Sequence, residues 1–199
     1  MKLVLIGSVG VLALGSLALA QEAYTGGAIE RRFVEGGRIR LDLSSGDYTV
    51  RAGDSDRVRV RWTPGNEARV KDLTKLSVDV HVSGNLATVV TEGPVKHVNF
   101  VIEVPARSDV HLRMRAGDVE VSGIEGHKDI RMTAGDLKIA VRRESLARAH
   151  ASVTFGDLDA RALGVSKSGI KRSLDWIGGG TYALDARLGA GDLTLAETR

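Results

Sequence analysis

The chain predicts an all-β fold: a β-solenoid, or a stacked parallel β-helix-like repeat, with more hairpin-like strands in its N-terminal part. Three observations carry this. Apolar and polar residues alternate with period two through most of the chain. A Gly-Asp pair followed by an apolar-polar-apolar run recurs five times, which is the mark of a repeat architecture. Aromatic residues make up only 4% of the 199 residues, while Gly numbers 24 and Pro 3. A core so poor in rings is built from Val, Leu, Ile and Ala, in layers with Gly at their bends.

Taken in order, residues 1–20 read as a secretory signal peptide. Lys2 precedes a run, Leu3 to Leu19, that is almost wholly apolar, and Ala18-Leu19-Ala20 supplies the small residues of a cleavage site. No second apolar run is long enough to span a membrane, which takes ~20 residues. Residues 21–35 form a lead-in. Residues 36–199 form one β-repeat domain, with longer strands over 36–104 and Gly-Asp rungs over 105–199. The expected location is outside the cytoplasm, periplasmic or extracellular. With no cysteine, the chain excludes a disulfide scaffold, a Cys-ligated zinc site and a thiol nucleophile.

The first strands are written in alternation. Arg38-Ile39-Arg40-Leu41-Asp42-Leu43, Arg57-Val58-Arg59-Val60-Arg61-Trp62 and Ser77-Val78-Asp79-Val80-His81-Val82 each place apolar side chains on one face. Gly84-Asn85 predicts a hairpin turn, and Gly93-Pro94 another break. His111-Leu112-Arg113-Met114-Arg115 follows the same alternation. Helical period is scarce, and short helical turns are expected only within 142–150 and 167–177.

The repeated corners are Gly46-Asp47, Gly117-Asp118, Gly135-Asp136, Gly156-Asp157 and Gly191-Asp192. From the second copy onward their glycines are spaced 18, 21 and 35 residues apart. The last interval is near twice the first, as though one rung had lost its motif. Gly tolerates positive φ at a bend, and the neighbouring Asp can accept from a backbone N–H. A single rung cannot bury its apolar side, whereas stacked rungs make a continuous core.

The runs Phe100-Val101-Ile102-Glu103-Val104-Pro105 and Val110 to Val121, the later Gly-Asp rungs, and the opening Ile39 to Asp47 resemble the putative-adhesin family of bacterial envelope β-repeat proteins. The resemblance covers roughly residues 36–196. It implies a β-solenoid-like repeat domain, exported or envelope-associated, with no established catalysis. The family pattern is met here without a visible partner domain or C-terminal anchor.

Little in the chain points to chemistry. There is no Gly-x-Ser-x-Gly elbow, phosphate loop or His-Glu-x-x-His pair. The five histidines, His81, His97, His111, His127 and His150, fit the wet faces of strands, with His111 and His127 near neighbouring rungs. If the corner aspartates stack, charges ~5 Å apart repel by roughly 0.8 kcal/mol in water. Backbone N–H groups at the corner are the expected offset. A divalent cation such as Ca²⁺ is the sharper alternative, but the calcium-binding nonapeptide is absent. No metal and no cofactor are expected.

The net charge is +3, or +2 without Lys2, too small to imply a nucleic-acid partner. Arginines gather in two places. Arg57, Arg59 and Arg61 share one strand face; Arg113 and Arg115 share another, which Arg131 and Lys138 extend. Such a basic face suits an anionic glycan or lipid head groups at the envelope, and the expected partner is an envelope protein or an anionic glycan. The expected function is a non-catalytic, adhesin-like binding or structural module of the cell envelope. The alternatives are a polysaccharide-acting enzyme on a β-helix scaffold, because Asp and Arg are plentiful as in Asp157, Asp159 and Arg161, or an accessory protein of an envelope-stress response.

Overall fold

A computed structural model describes residues 26–65, 74–93, 97–167 and 169–198. The expected leader, its cleavage site and Pro94 lie outside them. The described residues form sixteen β-strands, two short 3-10 turns and no α-helix.

The strands are Gly27–Arg32 (β1), Arg38–Leu43 (β2), Gly46–Ala52 (β3), Arg57–Pro64 (β4), Ser77–Ser83 (β5), Leu86–Glu92 (β6), Val98–Val104 (β7) and Asp109–Ser122 (β8). They continue with Lys128–Ala134 (β9), Leu137–Val141 (β10), Leu146–Phe155 (β11), Leu158–Ala160 (β12), Val165–Lys167 (β13), Ile170–Ile177 (β14), Tyr182–Ala190 (β15) and Leu193–Glu197 (β16). Two sheets result. Sheet I runs β1-β4-β7-β3-β8-β10-β16-β12-β13, and sheet II runs β5-β6-β2-β8-β9-β15-β11-β14. The long strand β8 belongs to both, its first half in sheet II and its second in sheet I.

Each level of the stack is a strand of sheet II that bends at a Gly-Asp corner into a strand of sheet I. The pairs are β2 with β3, the two halves of β8, β9 with β10, β15 with β16, and β11 with β12. Within each sheet these strands pair in parallel with matching register, so the corners fall above one another. Gly46 is opposite Gly117. A Cβ on Gly135, Gly191 or Gly156 would overlap the carbonyl oxygen of Gly117, Gly135 or Gly191 respectively. Their φ values of +110°, +124° and +128° are ones an L side chain avoids. Glycine is therefore required twice over at these bends, by conformation and by the close approach of the next level.

The order of levels in space is not their order in the chain. The last level, β15–β16, enters between β9–β10 and β11–β12. The levels therefore do not wind as a coil in sequence order, as successive solenoid rungs would. The 35-residue interval before Gly191 also holds no lost rung. It holds β13 and β14, which turn back antiparallel on β12 and β11 and end the stack. The helical turns expected within 142–150 and 167–177 reduce to a 3-10 turn at Arg143–Ser145. Most of the remaining described residues are strand: past an irregularity after Leu146, β11 alternates Ala149, Ala151 and Val153 into the core, and β14 pairs with β11. At the other end the strands are not the longer ones that the sequence suggested: β2 to β7 have six to eight residues, whereas β8, β11 and β15 have 14, 10 and 9. β5 and β6 form a hairpin about Gly84-Asn85, and β4 runs antiparallel to β1 and β7.

The core lies between the sheets. Ile39, Leu41, Leu112 and Ile130 from sheet II face Ile102, Leu137, Ile139, Leu193 and Leu195 from sheet I, all essentially sealed from solvent. Each such side chain contributes about 1.5–3 kcal/mol on burial. The larger rings sit toward the β7 end, where Tyr48 stacks on Phe100 with centroids 4.5 Å apart. The buried Tyr48 hydroxyl is satisfied by Thr91 Oγ1 at 2.7 Å.

Candidate binding face

The two arginine groups singled out in the sequence lie on opposite outer faces of the sandwich. On sheet I, β4 is flanked by β1 and β7, so Arg59 lies in register with Glu30 on one side and Glu103 on the other. Glu30 reaches Arg57 at 2.6 Å and Arg59 at 2.7 Å. Glu103 reaches Arg51 at 2.7 Å, Arg61 at 2.9 Å and Arg59 at 3.4 Å. Hydrogen bonding from Arg59 leads in holding the Glu30 carboxyl below its ordinary pKa. For Glu103, burial pushes upward, but Arg51, Arg61 and Arg59 together outweigh it and the net displacement is downward. Arg57, Arg59 and Arg61 are thus neutralised in place. Lys138 also lies on this sheet, 3.1 Å from Glu120, and does not extend the other arginine group as the sequence suggested.

The outer face of sheet II is organised differently. Parallel register lines up side chains from successive levels in rows. One row reads Arg40, His111, Asp129, Asp185, His150, Asp175 across β2, β8, β9, β15, β11 and β14. The next row reads Asp42, Arg113, Arg131, Arg187. Arg131 leans back on Asp129 at 3.2 Å, Arg187 on Asp185 at 2.9 Å, and Arg40 on Asp42 at 2.7 Å. His111 Nδ1 lies 3.0 Å from Asp129, and His150 Nδ1 lies 2.7 Å from Asp175. Arg113 and Arg115 make no ion pair among the described residues. Of the six arginines expected on a binding face, Arg113, Arg115 and Arg131 are therefore gathered here; the other three belong to sheet I.

A groove of about 930 Å³ runs over this face, with His111, His127, His150 and Asp185 along it and Trp176 and Ile177 at its β14 end. His127 is held rigidly. Its Nδ1 accepts the Ala183 N–H at 3.0 Å and its ring meets Tyr182 edge-on. Beneath the groove Lys128 is buried and its Nζ donates to the Gly126 carbonyl at 3.1 Å. Burial lowers its pKa to about 8, against the smaller opposing pull of Asp109 and Glu125. Sequence reasoning missed Arg187 and the Trp176 end. Arg187 had a signal, since Asp185-Ala186-Arg187 repeats the spacing of Asp129-Ile130-Arg131. Trp176 had none, because it reaches the groove only through the pairing of β14 with β11.

The corner aspartates form a hydrogen-bonded ladder. Asp118 Oδ1 accepts the Asp136 N–H at 3.1 Å, Asp136 Oδ1 accepts the Asp192 N–H at 3.2 Å, and Asp192 Oδ1 accepts the Asp157 N–H at 3.2 Å. These charge-assisted bonds offset the repulsion between levels. No group of three or more His, Cys, Asp or Glu side chains among the described residues is arranged to hold a metal ion.

These features define an all-β protein of two parallel-stacked sheets with a charged groove on one outer face. No helix among the described residues is long and apolar enough to cross a membrane. No family model and no curated protein matches the chain. Among solved structures, the fold is similar to that of a putative cell adhesion protein from Clostridium sporogenes. The TM-score is 0.50 at 11% identity, over 87% of this chain and 100% of that one. A putative adhesin from Bacteroides fragilis aligns over 88% of this chain and 98% of its own, at 10% identity and TM-score 0.25. A putative lipid binding protein from Parabacteroides distasonis aligns over 88% and 97%, at 9% identity and TM-score 0.25. At 11% identity the first of these shows a likeness of fold alone.

Proposed function

We propose that the protein is an exported, non-catalytic and adhesin-like binding module of the bacterial cell envelope, which holds an anionic glycan along the outer face of sheet II. In this reading residues 1–20 are removed and one β-repeat domain remains, outside the cytoplasm. The observation that carries it is the pair Arg113 and Arg115, which make no ion pair among the described residues and stand beside Arg131 and Arg187. Levels are ~4.8 Å apart, so Arg113, Arg131 and Arg187 present three guanidinium groups over about 10 Å. Guanidinium forks suit carboxylate and sulfate groups repeated along a polymer. The stacked backbone holds the row rigid, which limits the entropy lost on binding.

Binding fits better than cleavage. Glycoside hydrolysis needs a carboxylic acid whose pKa is raised. The carboxylates beside the arginine row, Asp42, Asp129 and Asp185, are instead each engaged by an arginine.

The test is binding to polygalacturonate, with dextran as the neutral control, by calorimetry across a salt series. The expected result is polyuronate-selective binding that weakens as salt rises. Arg113→Ala with Arg115→Ala should weaken it about tenfold or more, whereas Arg57→Ala with Arg59→Ala should leave it unchanged. Equal losses in the two double variants, or no binding at low salt, would overturn the proposal.

A further inference from the structure

Among the described residues, four strands end the two sheets: β1 and β13 in sheet I, β5 and β14 in sheet II. An unpaired strand edge is a template for another chain, and proteins usually blunt it with shortness, charge or an irregular backbone. Three of the four are blunted in these ways. β13 has only three residues. β14 carries Lys171 at φ +52°, and its ladder with β11 skips that residue. β1 carries Arg31 and Arg32, and its Arg32 lies opposite Arg57.

β5 is neither short nor irregular, its one Asp, Glu, Lys or Arg is Asp79, and β1 of sheet I lies close to it. All seven residues, Ser77 to Ser83, pair with β6 in unbroken register. It has no Pro, Gly, Lys or Arg, and no residue at positive φ. Val78 and Val82 are only partly buried. The sequence is also a chemical palindrome: Ser-Val-Asp-Val-His-Val-Ser. If a second copy pairs antiparallel about a twofold axis at Val80, Asp79 falls opposite His81 of the second copy, and His81 opposite its Asp79. Val78 then meets Val82, and Ser77 meets Ser83. Every cross-strand pair is matched in polarity, and no like charges face one another.

We infer that β5 is a self-complementary edge that joins two copies of this chain into a dimer through one continuous sheet II. Antiparallel pairing places the twofold axis perpendicular to the sheet. Both outer faces therefore point the same way, and the dimer presents two arginine rows on one side. A polymer that spans both gains avidity without any new contact. A seven-residue edge buries far less than the ~1,600 Å² of a standard interface, so the dimer forms in a concentration-dependent manner. The inference does not rest on which ligand the groove takes.

The test is sedimentation velocity on the mature chain from about 10 to about 500 μM, the range in which a small interface assembles. The wild-type chain should shift from monomer to dimer. His81→Asp puts two Asp–Asp pairs across the dyad and should weaken dimerisation about tenfold or more. Asp79→Lys combined with His81→Asp restores opposite charges and should restore the dimer. Lys171→Asp, on the blunted edge at the other end of sheet II, should change nothing. Thermal melts check that the variants fold, and both β5 positions are exposed. A wild-type chain that stays monomeric at the highest concentration would overturn the inference. So would a His81→Asp dimer as tight as wild type, or a folded double variant that stays monomeric.

Discussion

Gly135→Ala tests the stacking of the corners directly. At φ +110° an alanine pays more than the roughly 1–2 kcal/mol of an ordinary left-handed residue. Its Cβ would also lie 2.7 Å from the carbonyl carbon of Gly117 and 2.9 Å from its nitrogen. Those are backbone atoms of the next level, and they cannot swing aside as a flexible side chain would. Relief requires the β8 and β10 levels to separate at a point where Asp136 donates its N–H to Asp118. Strain and steric relief together amount to about 3–5 kcal/mol, in the range that marks a specific structural insult. For a chain of this size that is a fall of about 10 °C in Tm. Gly84→Ala is the matched control: φ is +58° there, but nothing lies within 4 Å of the added Cβ. It should lose only about 1 kcal/mol. Calorimetric melts of the two variants decide the matter. A Gly135→Ala protein no less stable than Gly84→Ala would refute the claim that the corners stack in contact.

Two further predictions concern charge. Lys128 has a folded pKa of about 8, below the 10.5 of an unperturbed lysine. The unfolded chain thus holds more protons between these values, and stability rises with pH across that window, by up to about 3 kcal/mol. Below pH 8 the whole penalty is present. Urea unfolding at pH 7 and pH 10 should show the wild-type chain gaining on Lys128→Met; parallel curves would contradict this. Glu103→Gln leaves Arg51, Arg59 and Arg61 without their shared carboxylate and should lose about 1–2 kcal/mol at neutral pH. Because the Glu103 carboxyl is displaced downward, its contribution is present above the unfolded carboxyl range and lost on acidification. The wild-type advantage over Glu103→Gln should accordingly shrink between pH 7 and pH 3, as read from denaturant midpoints.

The contrast between the two arginine groups shows where sequence reading stops. Alternation placed Arg57, Arg59 and Arg61 on one wet face, as it placed Arg113 and Arg115 on another. In the sequence the two groups look equivalent. They differ because β1 and β7 bring Glu30 and Glu103 beside the first, from 29 and 44 residues away at Arg59, whereas the acid in register with Arg113, Asp42, is taken up by Arg40. The histidines behave likewise. His150 meets Asp175 only because β14 folds back on β11.

The strand character, the inward faces and the five glycine corners were written locally, since period-two patterning and positive φ depend on a residue and its near neighbours. The order of the levels was not. Gly191 could have stacked beyond Gly156 as easily as between Gly135 and Gly156, because every corner carries the same Gly-Asp pair and every level a similar aliphatic face. That order was decided by the fit of whole faces once the chain was folded, with β13 and β14 ending the stack beyond β12 and β11. The groove, its rows of charge and the neutralised state of sheet I followed from it. Such contacts join residues far apart in the chain, and no local pattern encodes them.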